Sequence, residues 1–121
     1  MTKALIIDDA IANLKLMEAH LSRYNIQAMG VQSGKEGYHL AQELSPDIIF
    51  VDLRMPSHTW DGYTTIKNMR DNAQIAKSLI VAITGGGSEA DARQAGCDYF
   101  LQRPFGMRDI EVIIEEASCA S

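Results

Sequence analysis

Residues 47–56 read Asp-Ile-Ile-Phe-Val-Asp-Leu-Arg-Met-Pro. Between the two aspartates stand Ile48, Ile49, Phe50 and Val51, an unbroken apolar run with none of the polar alternation of a strand that faces water on one side. Such a run suits a strand covered on both faces. Asp52 then ends it with a carboxylate, which is costly to bury unless paired or coordinated.

The same grammar recurs on either side: a short apolar run, a turn, then an amphipathic stretch. Strands are predicted over residues 4–7, 26–31, 47–51, 79–84 and 98–101. All but the second carry near-continuous apolar runs; residues 26–31 alternate more and read as an edge. Helical spacing links Leu14, Met17, Leu21 and Tyr24 in the first intervening stretch. The second opens with Ser33 and Glu36 at capping-box spacing and carries Tyr38, Leu40, Ala41 and Leu44. The third covers about 62–70, with Tyr63, Ile66 and Met69 on one face. The fourth begins near Ser88 and ends at Gly96; its apolar face is mostly alanine, which makes it the weakest. The fifth carries Met107, Ile110, Ile113, Ile114 and Ala117. Strict alternation of strand and helix argues for a parallel sheet with helices on both faces, because parallel neighbours need a crossover.

In such sheets the functional crevice lies beyond the carboxyl ends of the strands. The first strand ends in Asp8-Asp9, the third in Asp52 and the fourth in Thr84, while Arg103-Pro104 follows the fifth. Three carboxylates drawn together repel one another and raise their pKa values unless a cation joins them. Hard oxygen ligands of this kind suit Mg²⁺. Three carboxylates, one Arg and one divalent ion sum to zero charge. Each piece also has a plainer use: Asp8 or Asp9 as a helix N-cap, Thr84 with Gly85-Gly86-Gly87 as a strand end and flexible turn.

The 121 residues, 46% hydrophobic and 22% charged, read as one globular domain over 1–121 rather than a disordered chain. The longest apolar run, from Leu79 to Ile83, is far short of a bilayer span, and no signal-peptide stretch opens the chain. Sixteen acidic residues against eleven basic give a net charge of −5, which disfavours nucleic acid and anionic membranes as partners. Cys97 and Cys119 lack metal-site or redox spacing, so a reduced, cytoplasmic protein is expected.

Taken together, several motifs resemble those of receiver domains of two-component response regulators, from residue 3 to about 117. They are Ile6-Ile7-Asp8-Asp9, the stretch 47–56, Val81-Ala82-Ile83-Thr84-Gly85, and the segment Ala95-Gly96-Cys97-Asp98-Tyr99-Phe100-Leu101-Gln102-Arg103-Pro104-Phe105. The resemblance implies a flavodoxin-like, doubly wound (βα)5 fold with strand order 2-1-3-4-5. It implies that Asp52 accepts a phosphoryl group from the histidine of a sensor kinase or phosphotransfer protein. It further implies Mg²⁺ held by Asp8, Asp9, Asp52 and the backbone carbonyl of Arg54. Thr84 and Phe100 would be the switch residues, and a downstream protein would bind the face of the fourth helix, fifth strand and fifth helix. A homodimer stays open. The chain would catalyse only its own phosphorylation and dephosphorylation, so it is not an enzyme in the usual sense.

The chain departs from the family's pattern in places. Position 103 is Arg where the family favours Lys, a change of shape rather than of sign. Ser57-His58-Thr59-Trp60 lengthen the loop between Met55-Pro56 and Asp61-Gly62 by two residues. His58 reads as a solvated loop residue, and Trp60 as packing over the loop or forming a partner surface. Three glycines follow Thr84. A pseudo-receiver, binding partners without phosphorylation because of Arg103, is the main alternative. A flavin-binding enzyme on the same sheet lacks its Gly-rich phosphate loop, and a phosphatase-type one would need its nucleophilic Asp at the first strand, whereas the acid read as buried ends the third. Residues 117–121 form a short tail, consistent with a stand-alone receiver or one excised from a longer regulator.

Overall fold

The computed structural model describes residues 2–56 and 59–119, with side chains through residue 117. The strands are β1 (Lys3–Ile7), β2 (Gln27–Val31), β3 (Ile48–Asp52), β4 (Leu79–Thr84) and β5 (Tyr99–Gln102). Alternating with them are α1 (Ile11–Ser22), α2 (Gly34–Leu44), α3 (Gly62–Arg70), α4 (Glu89–Ala95) and α5 (Met107–Cys119). All neighbouring strands pair in parallel, in the order β2-β1-β3-β4-β5, the flavodoxin-like arrangement expected.

The central strands are apolar throughout because the sheet separates two cores. Ala4, Ile6, Ile48, Phe50, Val81 and Ile83 face α1 and α5, where they meet Leu14, Met17, Leu21, Ile110, Ile113 and Ile114. Their sequence neighbours Leu5, Ile7, Ile49, Val51, Ile80 and Ala82 face the other way, onto Ala41, Ile66, Met69 and Ala92 of α2, α3 and α4. Each residue of β3 is buried. β2 is half exposed, as the alternation of its sequence anticipates for an edge. α4 is the shortest helix, with Ala92 its one buried residue.

Several strand boundaries shift by one residue from the sequence expectation, and three positions show a local reason. Asp47 and Asp98 precede their strands rather than joining them. The carboxylate of Asp47 accepts the backbone N–H of Lys3 (2.9 Å), and that of Asp98 accepts the N–H of Ile80 (2.9 Å). Both therefore satisfy donors at the start of a neighbouring strand. Tyr24 lies beyond the end of α1, yet its ring packs on the same core and its hydroxyl donates to Glu111 (2.8 Å), which is why it keeps the helical spacing.

Two helix starts follow the caps read from sequence. Ser33 accepts the N–H of Glu36 and Ser88 that of Asp91, both at 3.2 Å. Asp61 caps α3 through the N–H of Thr64 (2.8 Å). At the opposite end of α3, Arg70 joins three segments. It donates to the carbonyls of Gly96 (2.8 Å) and Ala76 (2.9 Å), and pairs with Asp98 at 2.7 Å. Gly96, the C-cap of α4 at φ +122, takes a backbone form that other residues rarely adopt, and an added Cβ would meet Arg70 at 2.9 Å.

Candidate functional site

The parallel sheet brings the C-terminal ends of β1, β3, β4 and β5 to one edge, and each supplies a side chain there. Asp8 follows β1 and is 3% exposed; its Oδ1 accepts the N–H of Ala10 at 2.9 Å. That contact begins the turn into α1, whose N-cap is Ala10 without a side-chain bond, so neither Asp8 nor Asp9 caps the helix. Asp52 closes β3 at 7% exposure, and its Oδ1 accepts the N–H of Arg54 at 3.1 Å. Asp8, Asp9 and Asp52 each place a carboxylate oxygen within 4.8 Å of the others. Arg103 enters from beyond β5, its backbone anchored by an N–H bond to the carbonyl of Thr84 (2.8 Å). Its Nη2 stands 3.0 Å from Asp8 Oδ2 and its Nη1 3.7 Å from Asp52 Oδ1.

Burial pushes the Asp52 carboxyl up to about 6, the Arg54 N–H pulls it down, the charge of Asp8 raises it and Arg103 lowers it. The pocket thus carries three acids and one guanidinium, an excess of negative charge that a divalent ion would balance. The donor set fits such an ion. Three hard carboxylate oxygens within 4.8 Å of one another are the kind of ligand that Mg²⁺ takes.

Thr84 is fully buried at the end of β4. Its Oγ1 accepts the N–H groups of Gly86 (3.2 Å) and Gly87 (3.0 Å), so the hydroxyl organises the loop that follows.

Over residues 4–115 the chain matches the family described as Response regulator receiver domain. It belongs to that family. The chain is 30% identical over 118 residues to the polar-differentiation response regulator DivK of Brucella ovis, covering 93% of this chain and 94% of that one. A receiver domain (CheY-like) from Methylobacillus flagellatus has a TM-score of 0.84 at 26% identity, covering 97% and 98% of the two chains. The receiver domain of the Pseudomonas aeruginosa sensor histidine kinase PA1611 has a TM-score of 0.85 at 24% identity, covering 95% of each chain; its structure carries a magnesium ion in the active-site cleft. The protein is thus a two-component signalling receiver and not a conventional enzyme, and its Asp8, Asp9 and Asp52 form an acidic pocket of the phospho-accepting kind.

Around that pocket the receiver carries features of its own. Of the glycine triplet, Gly85 and Gly86 have open space where a Cβ would stand, and neither has a positive φ. Gly87 alone is constrained, since a Cβ there would lie 2.7 Å from the Tyr63 hydroxyl and 3.0 Å from Leu53. The Tyr63 hydroxyl accepts the N–H of Ser88 at 2.8 Å, tying the start of α3 to the start of α4. Trp60 lies edge-on to Tyr38 at 5.5 Å, with the Lys35 ammonium 5.9 Å from its ring centre. It packs on α2. Ser57 and His58 lie outside the described residues. Phe100 is half-buried and packs against the core beneath α2, α3 and α4.

Sequence reading missed Tyr63 as a partner of the loop after Thr84, since helical spacing marked it only as a core residue. Tyr63→Phe is expected to lower stability by about 1 kcal/mol, the usual worth of one such bond. Amide exchange should quicken at Gly87 and Ser88 more than in β4, and equal exchange in both variants would overturn the contact.

Proposed function

We propose that Asp52 is the phosphoacceptor of a two-component relay, and that the single domain formed by residues 1–121 signals in the cytoplasm by changing a protein-binding surface. The observation that carries this reading is the meeting of Asp8, Asp9, Asp52 and Arg103 within one pocket at the sheet edge. An Asp52 carboxylate oxygen attacks the phosphorus of a phosphohistidine on a sensor kinase or phosphotransfer protein. The O–P bond forms, the N–P bond breaks, and its electron pair returns to the imidazole. Because its carboxyl titrates near 6, Asp52 is mostly ionised, and so nucleophilic, at pH 7.

Asp8, Asp9, Asp52 and the backbone carbonyl of Arg54 would hold Mg²⁺, which when bound neutralises charge on the transferring group. The N–H of Arg54 fixes one Asp52 oxygen, leaving the other to face the donor. Arg103 offers N–H groups to phosphoryl oxygens. Thr84 would exchange its loop bonds for one to the phosphoryl group, drawing residues 85–88 inward, and Phe100 would follow into the space released. The face of α4, β5 and α5 changes as a result, and a downstream protein reads it. Among the described residues no helix is long and apolar enough to cross a membrane.

The test is intact mass after incubation with a small acyl phosphate, with and without Mg²⁺. The wild type should gain one phosphoryl group only with Mg²⁺, and Asp52→Asn none. Uptake that persists in Asp52→Asn would sink the assignment. A wild type that binds Mg²⁺ yet takes phosphate from neither the small donor nor a kinase would favour the pseudo-receiver.

A further inference from the structure

We infer that Arg103 is a tethered counter-cation that competes with divalent metal for Asp8 and Asp52, and so sets the metal affinity of this pocket. The inference rests on the receiver reading of the site and concerns its regulation. The guanidinium reaches both acids at once, with Nη2 at 3.0 Å from Asp8 and Nη1 at 3.7 Å from Asp52. Those are two of the three acids whose oxygens cluster within 4.8 Å. Asp8 has both oxygens engaged, Oδ1 by the N–H of Ala10 and Oδ2 by Arg103. Asp52 has Oδ1 engaged by Arg54. Asp9 carries no such bond among the described residues, so an incoming ion meets Asp9 first.

The tether makes this competition effective. The Arg103 backbone is fixed to Thr84 at the end of β4, so its cation is presented at high local concentration. Both acids are nearly buried, where charge interactions are screened little. A guanidinium stays protonated across the accessible pH range, so the competitor is present throughout. Its planar fork also suits two acceptors, whereas a lysine ammonium is a single point of charge on a flexible stem. A divalent ion that takes Asp8 must displace one arm of the fork. The freed arm then stands beside Asp52 with its donors available to a phosphoryl oxygen. Metal arrival and anion capture become coupled through one side chain.

Isothermal titration of Mg²⁺ into the full chain at pH 7.5 and fixed ionic strength tests this. Arg103→Gln should bind Mg²⁺ about tenfold more tightly than wild type, the effect of removing one nearby cation from a partly buried site. Arg103→Lys, which keeps the charge and loses the fork, should fall between them. Far-UV circular dichroism of each variant confirms that the compared proteins are folded, and Arg103→Lys carries the test should Arg103→Gln not fold. Equal or weaker binding in Arg103→Gln, or Arg103→Lys no tighter than wild type, overturns the inference while leaving the metal site standing. If neither wild type nor any Arg103 variant takes up Mg²⁺, the metal reading of the pocket falls along with it.

Discussion

Asp52→Asn is expected to raise the melting temperature by about 8 °C at pH 8 in chelator-containing buffer, and by little at pH 4. The cause is the cost of holding an ionised carboxylate at a site that is 7% exposed. In the folded protein the group titrates near 6, against an ordinary value of 3.8. A folded-state pKa above the unfolded one means that the native state binds more protons between those values, so stability falls as pH rises through that window. Above it the full penalty stands. The shift corresponds to at most about 3 kcal/mol, and about 2 kcal/mol is expected from Asn because its amide must still meet Arg54 and Asp8. Asn keeps the oxygen that accepts from Arg54 and turns an N–H₂ toward Asp8, replacing repulsion by a bond. Thermal melts of both proteins from pH 4 to pH 8 give the measurement. A gain that grows with pH and levels off above about pH 7 supports the assignment; a variant no more stable than wild type at pH 8 removes it. In the first case Asp52, the proposed phosphoacceptor, carries a charge that the fold tolerates only for its chemistry.

The same residue shows why much of this site is legible in sequence. An apolar run without alternation fixes β3 as a covered strand, and an acid ending it has few structural uses. Asp8 and Thr84 follow by the same reasoning, because parallel strands must deliver their ends to one edge. What remains hidden is contact across the chain. Asp47 and Asp98 look like first residues of their strands, yet they serve the N–H groups of Lys3 and Ile80, 44 and 18 residues away. Tyr63 meets Ser88 across 25 residues, and periodicity reports only the face that Tyr63 shares with its own helix. For Arg103, the cationic charge is legible and the double reach to Asp8 and Asp52 is not, since it depends on how the segment after β5 passes the end of β1.

Gly62→Ala should cost about 3 kcal/mol, read as a lower urea midpoint with unchanged slope. The sign is what makes this substitution informative. Gly62 is the first residue of α3 and its φ is not positive, so backbone preference alone predicts that alanine would stabilise by up to about 1 kcal/mol. Space predicts the reverse. A Cβ at this position would lie 2.4 Å from the Asp52 carbonyl oxygen and 2.4 Å from Leu53 Cα. Both are backbone atoms with no rotamer by which to retreat. The glycine lets the chain, after the lengthened loop, return against the end of β3, where its N–H bonds the Leu53 carbonyl at 3.2 Å. Relief requires moving either the start of α3 or the residue that carries the Asp52 carboxylate. Gly62→Ala should therefore weaken Mg²⁺ binding as well as stability. Gly85→Ala, with nothing within 4 Å of the new carbon, should leave stability unchanged or slightly improved. If Gly62→Ala proves as harmless as Gly85→Ala, the chain does not pass so close to β3, and the placement of the acidic pocket against α3 is wrong.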